Sequence, residues 1–306
     1  MSVKIGFVIV TYANPEQLLR LVRRLQHLYD NPPIVCHHDF SQCALRVDKF
    51  PDDVRFVLPH EKTGWGKFAV VTAALRALEL LYQKSTPDWF VLLSGSDYPT
   101  MPADQVIADL ASCGGDAFLD LREVPDTPPD ASYPPPENPT LQHFGSAENL
   151  ALAWRRYVGF NAWVPVVRAG PRIGRHTMYF PFEMKRWSPF DASFKCFYGD
   201  HWFSGNSKVA QILLTPTQRH LHLRRHLRWR VVPEECYYHC VLGNSPDVKI
   251  LKATRRYSEW LGGGAHPQVL TVNDLPAIIS SRAHFARKFE PGTAVLNEID
   301  QLLLRS

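Results

Sequence analysis

The stretch KIGFVIVT, residues 4–11, is the strongest indication of the fold of this 306-residue chain. It is a run of mainly apolar and β-branched residues, which is typical of a strand buried on both faces of a parallel sheet. Asn14-Pro15-Glu16 follows, and proline is tolerated in the first turn of a helix because its missing N–H is not needed there. The next apolar residues recur at helical spacing and predict an amphipathic helix: Leu18, Leu21, Val22, Leu25 and Leu28.

Strand and helix patterns continue to alternate after this unit. Residues 33–39 and 54–57 are typical of short strands, residues 68–83 of an amphipathic helix, and residues 89–93 of a fourth strand. This alternation predicts an α/β fold with a mostly parallel central sheet flanked by helices. Ligands bind beyond the carboxyl ends of the strands in such sheets. Polar clusters follow three of the predicted strands and mark the expected site: Thr11-Tyr12, His37-His38-Asp39 and residues 94–97 (SGSD).

A proline-rich segment at residues 125–140 divides the chain into two parts of different composition. It contains few apolar residues, which predicts a loop rather than a core element. We expect one domain over residues 1–306, built from residues 1–124 and residues 141–306 around this loop. With 45% hydrophobic and 21% charged residues, the chain is expected to form a sizeable core and not to be disordered.

The second part carries a dense basic run at residues 220–230, HLHLRRHLRWR. Its first residues alternate between polar and apolar, which predicts a half-exposed strand. The net charge of the whole chain is only +4, so nucleic acid is not an expected partner. A solvated face, or contact with an anionic polymer or membrane surface, remains an alternative for this run.

The cysteines and the N-terminus indicate the cell compartment. None of the six cysteines forms a CxxC pair, so a zinc ribbon is not indicated, and Cys236 and Cys240 have the spacing of a packed helical turn. The apolar stretch Ile5 to Val10 is too short for a signal peptide or a membrane span. We expect a cytoplasmic protein with reduced thiols, and a peripheral contact with the inner face of the membrane is an open alternative.

Glu234-Glu235 is the most distinctive candidate for acid–base chemistry. The pair follows Val231-Val232-Pro233 at a predicted helix start, where the positive end of the helix favours an ionised carboxylate. Such a carboxylate could accept a proton from a hydroxyl group, or it could merely complement the helix charge, and the pattern supports both equally. His37 and His38 are adjacent on a strand and point to opposite faces, so they are not expected to share a metal ion.

Anion binding is the other chemistry that the residues suggest. No Asp-x-Asp pair follows a strand, so a divalent cation that bridges a diphosphate is not indicated. Arginine and lysine would then have to neutralise such a group. The candidates are Arg255, Arg256, Arg287 and Lys288. Asp39, at the end of the second strand, could accept hydrogen bonds from a ribose or base or could be a solvated loop carboxylate.

These segments, taken in order, resemble one known family. The matching pieces are IGFVIVTY (5–12), VCHHDFS (35–41), GWGKFAVVTAALRAL (64–78), FVLLSGSDYPT (90–100), YGDHWFSGNSKVAQIL (198–213), VVPEECYYHCVLGNSP (231–246), RRYSEW (255–260) and residues 266–290, which end in FARKFE. In this order they are similar to the core-2/I-branching β-1,6-N-acetylglucosaminyltransferases and peptide O-xylosyltransferases, glycosyltransferase family 14, and the chain looks like a bacterial member.

The resemblance implies a GT-A type α/β fold and an inverting, metal-independent transfer from a UDP-sugar, with no cofactor. N-acetylglucosamine or xylose is the implied sugar, and a glycan or lipid-linked glycan is the implied acceptor. Residues 1–124 would then bind the nucleotide sugar, and residues 141–306 would bind the acceptor and supply catalysis. A catalytically inactive protein of the same fold that binds a glycan or nucleotide is the second interpretation.

The resemblance also implies roles for individual residues. Glu235 is the implied catalytic base, with Glu234 in the place of the family's aspartate. Lys288, assisted by Arg287, would hold the diphosphate, and His266, Arg255 or Arg256 would supply the second cation. Asp39 would contact the uridine, with Val8 and Thr11 lining the same pocket. The remaining residues in matching motifs are expected around the donor and acceptor: Asp97 on the donor side, and Trp65, Trp202, Tyr257 and Trp260 near the substrates.

Overall fold

The computed structural model describes residues 3–127, 146–167, 173–179, 188–260 and 266–305, so most of the predicted proline-rich loop lies outside the described residues. The strands are β1 (Ile5–Thr11), β2 (Ile34–His38), β3 (Arg55–Phe56), β4 (Trp89–Ser94), β5 (Tyr98–Pro99), β6 (Ala117–Phe118), β7 (Arg122–Glu123), β8 (Asn161–Val167), β9 (Ile173–Tyr179), β10 (Phe197–Tyr198), β11 (Ser204–Asn206), β12 (Ile250–Leu251), β13 (Arg256–Ser258) and β14 (Phe285–Arg287). The helices are α1 (Pro15–Leu28), α2 (Ala69–Lys84), α3 (Ala103–Ser112), α4 (Ala147–Ala153), α5 (Ser207–Leu214), α6 (Gln218–Leu227), α7 (Tyr237–Gly243), α8 (Leu275–Ser281) and α9 (Ala294–Arg305).

Seven strands form the central sheet, in the order β12-β6-β11-β4-β1-β2-β3. All neighbours in this sheet are parallel except β11, which runs antiparallel to both β4 and β6. The predicted α/β class and mostly parallel central sheet are therefore confirmed. The first strand lies inside the sheet, where Val8 pairs with Val35 on one side and Leu92 on the other.

The two faces of β1 belong to two separate parts of the core, because successive side chains of a strand point in opposite directions. Val8 packs with buried residues of α2, α5 and α7 on one face. Phe7 and Ile9 pack with buried residues of α1, α3 and α9 on the other face. This burial on both sides explains why the β1 sequence is continuously apolar and does not alternate.

The prediction of a strand at the start of the basic run is wrong. Residues 218–227 form the helix α6, which begins with Thr217 as N-cap in a capping box with His220. The buried positions of α6 are His220, Leu223 and Leu227, a helical spacing of three and four residues, and the short HLHL alternation concealed it. Three basic side chains of the run have partners inside the protein: Arg224 with Tyr237, His226 with Tyr157 and Arg230 with Gly159. Arg219, just before the run, pairs with Asp191.

A three-stranded sheet, β13-β14-β5, joins the C-terminal motif to the loop that follows β4. Ser258 pairs with Arg287 in the parallel part, and Phe285 pairs with Pro99 in the antiparallel part. The backbone N–H of Phe289 also donates to the carbonyl of Ser96 at 2.9 Å. The sheet thereby brings Arg287 and Lys288 to the carboxyl edge of the central sheet. Among the described residues, no helix has the length and apolar character needed to cross a membrane.

Candidate active site

The Pro-Glu-Glu sequence forms a short 3-10 turn, Pro233–Glu235, immediately before α7. Three contacts hold it. Tyr157 donates its hydroxyl to the carbonyl of Val232 at 2.7 Å, and the N–H of Val232 donates to the carbonyl of Gly66 at 3.2 Å. The N–H of Gly199 donates to the carbonyl of Glu235 at 3.0 Å. The turn therefore presents its glutamates from a backbone fixed on three sides.

Glu235 is partly exposed, with 22% of its side chain accessible, and its Oε2 lies 3.3 Å from Nη1 of Arg156. Burial of the carboxyl group raises the pKa of Glu235 to about 8, and nearby Glu234, Asp200 and Asp120 raise it further, against the lowering effect of Arg156. The helix start was expected to keep this group ionised, and burial and three neighbouring carboxyl groups act in the opposite direction. A raised pKa makes the carboxylate a stronger base.

Three more carboxyl groups surround Glu235. Burial raises the pKa of Glu234 to about 7, and its Oε2 has no hydrogen-bond partner among the described residues. Burial also raises the pKa of Asp120 to about 6, and it raises the pKa of Asp200. Asp120 and Arg122 form an ion pair at 3.2 Å. Several carboxyl groups with perturbed pKa values in one place are typical of a functional site.

Asp120→Asn is expected to stabilise the protein at neutral pH. Burial raises the pKa of Asp120 in the folded protein from 3.8 to about 6. As the pH rises, Asp120 therefore loses its proton in the unfolded chain first, and the free energy of unfolding falls between pH 3.8 and about pH 6. Asparagine mimics the neutral acid and avoids this loss, which amounts to about 3 kcal/mol at pH 7. Denaturant unfolding at pH 7 and pH 4 measures the difference, with exposed Asp52→Asn as control. An equal effect of Asp120→Asn at both pH values would contradict the prediction.

Gly199 connects two parts of this site and has no room for a side chain. A Cβ atom there would overlap the carbonyl oxygen of Asp120 and lie 3.0 Å from Nε2 of His239. We expect Gly199→Ala to lower the free energy of unfolding by about 3 kcal/mol, the upper part of the usual cost of overpacking. Gly64→Ala is the matched control, because its Cβ would meet only the flexible end of Lys67. Equal unfolding midpoints for the two variants would contradict this.

Arg287 lies at the end of β14 and is held by two residues that were expected to contact ligands. Its Nε is 3.1 Å from Oδ1 of Asp97, and its guanidinium lies over the ring of Trp202, 4.8 Å from the centroid. Asp97 is fully buried and also accepts hydrogen bonds from the N–H and hydroxyl of Ser94. The structure therefore shows Asp97 and Trp202 positioning Arg287, and their contact with a ligand stays a prediction.

Lys288 follows Arg287 and, among the described residues, its charged group has no hydrogen-bond or ion-pair partner. Its backbone is fixed, because the N–H of Leu270 donates to its carbonyl at 2.8 Å. Its side chain is half-buried, and within the described part of the chain its ammonium group makes no hydrogen bond or ion pair. A fixed backbone with an unpaired ammonium group is well suited to bind an anion.

Arg255 and Arg256, predicted as candidates for the second cation, both have partners inside the protein. Arg255 pairs with Asp109 on α3, with Nε 2.8 Å from Oδ2. Arg256 is buried, and its guanidinium donates to the backbone carbonyls of Leu92 and Phe203 at 3.4 and 3.5 Å. Burial lowers the pKa of Arg256 to about 10. Arg256 is therefore occupied in packing the sheet and is not available to a ligand, whereas the side chain of Arg255 is 35% exposed and its role stays a prediction.

Val8 and Asp39 also differ from the expectation. Val8 is inside the core and has no surface for a ligand, so its predicted place in the uridine pocket is wrong. Asp39 is buried and accepts hydrogen bonds from Ser41, Gln42 and Thr63, at distances from 2.5 to 3.0 Å. These bonds keep the pKa of Asp39 well below its usual range although burial opposes them. Asp39 thus organises the loops after β2 and β3, and a direct contact with uridine stays a prediction.

The remaining predicted residues lie around the same edge. Trp65 is 62% exposed, and its ring centroid is 6.2 Å from that of His266. Thr11 approaches the loop after β4 so closely that a Cβ on Gly95 would lie 2.6 Å from its Oγ1. The other two belong to the segment paired with β14: Tyr257, which donates to Glu259, and Trp260, which donates to Ser258. Of these residues, Thr11 is the one shown at the carboxyl end of β1, next to the loop after β4.

Residues 5–126 match the sequence model of the Core-2/I-Branching enzymes. This part of the chain is a Core-2/I-branching enzyme domain. The chain is 24% identical over 247 residues to the β-glucuronosyltransferase GlcAT14B of Arabidopsis thaliana, covering 79% of this chain and 50% of that protein. It is 23% identical over 241 residues to GlcAT14A of the same plant, covering 77% and 47%. The chain therefore spans about half the length of these curated relatives, which are glycosyltransferases.

A solved structure from Bacillus anthracis, described as a glucose-1-phosphate thymidylyltransferase in complex with sucrose, is also similar to this chain. It is 12% identical, with a TM-score of 0.30, and the match covers 73% of this chain and 84% of that one. A TM-score this low carries no argument about function.

Two of the segments quoted in the sequence analysis, at residues 198–213 and 231–246, contain functional candidates that the sequence did not single out. His201 packs on Trp202 with 4.4 Å between ring centroids, and burial lowers its pKa to about 3. Nε2 of His239 donates to the carbonyl of Asp200 at 3.1 Å, and burial lowers the pKa of His239 to about 3 as well. Asp200 and His201 stand in the quoted YGDHWF segment, so the motif itself was the available signal. No signal in the sequence indicated Arg156, because it lies in none of the quoted motifs.

Proposed function

We propose that this chain is an inverting, metal-independent glycosyltransferase that moves a sugar from a UDP-sugar to a hydroxyl group of an acceptor glycan. The observation that carries the proposal is the position of Glu235. Its side chain is partly accessible, its carboxyl group has a raised pKa, and it stands on a turn whose backbone is fixed. Asp200 connects the two regions, because it interacts electrostatically both with Glu235 and with Arg287, the residue before Lys288.

The proposed reaction is a single displacement. The carboxylate of Glu235 takes the proton of the acceptor hydroxyl while the hydroxyl oxygen forms a bond to the anomeric carbon. The bond from that carbon to the β-phosphate oxygen breaks on the opposite face, and UDP leaves with the electron pair. Lys288 and Arg287 stabilise the charge that develops on UDP. Attack opposite the leaving group converts an α-linked donor into a β-linked product, and holding both substrates in line lowers the barrier.

The occupied state of the nearby aspartates supports diphosphate neutralisation by cations. Asp39 and Asp97 follow the ends of β2 and β4, where a divalent cation would find its carboxylates. The oxygens of Asp39 accept from serine, glutamine and threonine groups, and those of Asp97 face Ser94 and Arg287. A metal ion would have to displace these donors, whereas the ammonium group of Lys288 is already available.

A thermal-shift screen tests the proposal. The donors are UDP, UDP-N-acetylglucosamine, UDP-xylose and UDP-glucuronic acid, the last because the named relatives are β-glucuronosyltransferases. A ligand present at about 100 times its Kd adds about 2.7 kcal/mol to the free energy of unfolding. We expect UDP and one UDP-sugar to raise the unfolding midpoint equally with and without EDTA. No shift with any nucleotide, or a shift that EDTA abolishes, would contradict the proposal.

Measuring UDP release from the donor distinguishes an active transferase from a protein that only binds the nucleotide. A chain that binds the nucleotide but never cleaves the donor, with or without acceptor glycans, would favour the inactive binding protein. Three basic groups of residues 220–230 have internal partners, whereas His222, Arg225 and Arg228 are exposed, so contact with an anionic polymer or membrane surface stays a prediction. The acceptor and the cytoplasmic location stay predictions.

A further inference from the structure

Three cysteines that are far apart in the sequence meet behind the Pro-Glu-Glu turn. Cys196 precedes β10, Cys236 directly follows Glu235, and Cys240 lies one turn further along α7. Their Sγ atoms all lie within 4.8 Å of one another, and those of Cys236 and Cys240 are 3.5 Å apart. All three are buried and none is in a disulfide. Among the described residues, this is the one group of three such side chains close enough to share a metal ion.

The spacing fits one metal centre. A metal–sulfur bond of about 2.3 Å places three sulfurs about 4.0 Å apart around a planar centre. The 3.5 Å between Cys236 and Cys240 would then open by about half an ångström, which small rotations about the Cα–Cβ bonds supply. The two elements that carry the thiols are already joined, since Asn244 donates to the carbonyl of Lys195 at 2.8 Å.

The surroundings supply the groups that a thiolate site needs. The backbone N–H of Phe197 points at Sγ of Cys240 at 3.2 Å, a contact that stabilises a thiolate. The guanidinium of Arg230 is mostly buried, is held by the carbonyl of Gly159 at 2.8 Å, and interacts electrostatically with Cys236 and Cys196. Burial raises the pKa of the Cys196 and Cys236 thiols, and this fixed cation would offset the negative charge of the thiolates once they hold a metal ion. If the three cysteines served only as small apolar side chains in the core, neither the N–H of Phe197 nor the guanidinium of Arg230 would be needed beside them.

We propose that Cys196, Cys236 and Cys240 form a three-thiolate site for one soft metal ion, and that copper(I) is the ion it fits. Zinc in structural sites takes four ligands, and no fourth histidine, cysteine or carboxylate joins the three in the described part of the chain. Copper(I) prefers thiolates and is satisfied by three of them. Binding releases the three thiol protons, and the ion links β10 to the start of α7. It holds the backbone of Glu235 and takes no part in the transfer reaction.

Titration of the reduced protein with copper(I) under anaerobic conditions tests this site, with a chromophoric copper(I) chelator as competitor. We expect one ion per chain, a rise in the unfolding midpoint, and three sulfur neighbours in X-ray absorption. Each of Cys196→Ser, Cys236→Ser and Cys240→Ser should weaken copper(I) binding at least tenfold. Half-buried Cys43→Ser and Cys113→Ser lie outside the group and should bind as the unaltered chain does.

Three results would overturn the proposal. These are binding that survives all three substitutions, fewer than three sulfurs around the ion, and tighter binding of zinc with a fourth ligand. If a serine variant fails to fold by near-ultraviolet circular dichroism, X-ray absorption on the unaltered chain still decides. The result is independent of the proposed transferase activity, because UDP binding and UDP release are separate measurements.

Discussion

Glu235→Gln is expected to reduce turnover at least ~100-fold and to leave the Kd for UDP unchanged, the usual scale for loss of a general base. Glutamine has nearly the same shape and can still accept a hydrogen bond from Arg156, which is 3.3 Å away in the unaltered protein. It cannot take a proton from the acceptor hydroxyl. UDP release from the donor chosen in the thermal-shift screen measures turnover, and titration calorimetry measures UDP affinity.

The control for this prediction is Glu79→Gln, an exposed glutamate on α2. It changes the same functional group at a position outside the site and should keep full turnover. A Glu235→Gln variant that keeps a tenth or more of the activity would remove Glu235 from the role of base. Loss of UDP binding in the same variant would instead indicate that Glu235 shapes the donor pocket.

The architecture was predictable because it depends on local patterns. Residues 4–11 form a strand covered on both faces, and the structure extends this strand over Ile5–Thr11. The predicted helix at residues 68–83 is observed at Ala69–Lys84. The strand predicted at the start of the basic run is wrong, because the alternation in HLHL is too short to distinguish the two-residue period of a strand from the 3.6-residue period of a helix. The buried positions His220, Leu223 and Leu227 show the helical period only when the whole segment is considered.

The roles of charged residues were harder to predict, because they depend on partners distant in sequence. Arg256 resembles a free cation in the sequence, but the sheet buries it against the carbonyls of Leu92 and Phe203. Asp39 resembles a ligand contact, but Thr63, which lies 24 residues later, occupies one of its oxygens. The pattern of a single segment contains neither fact.

The same reason explains the residues that sequence analysis missed. Arg156 reaches Glu235 from a single π-helical turn, Trp154–Val158, that follows α4, and no motif marks it. Cys196 joins Cys236 and Cys240 across 40 residues or more, so the absence of a CxxC pair said nothing about a thiol cluster. Lys288 differs from these, because its motif is local and its ammonium group remains free of internal partners.

Lys288→Ala is expected to weaken UDP binding ten- to a hundredfold. A hydrogen bond to a charged group contributes about 1.5–3 kcal/mol to binding. In the described part of the chain the ammonium group of Lys288 makes no bond within the protein, so its removal should affect the ligand and not the fold. The backbone should be unaffected, because the bonds of Lys288 to Gln268 and Leu270 are made by its N–H and carbonyl groups. Titration calorimetry with UDP, and with uridine as a ligand without phosphate, measures the effect.

Comparison of the two ligands makes the prediction specific. Lys288→Ala should weaken UDP binding strongly and uridine binding little, because the ammonium group is expected to contact phosphate alone. Lys288→Arg should retain most of the UDP affinity, since it keeps the positive charge. Exposed Lys252→Ala is the matched control and should bind both ligands as the unaltered chain does. Equal loss for UDP and uridine would place Lys288 near the nucleoside, and no loss would leave Arg287, paired with Asp97, as the cation that holds the diphosphate.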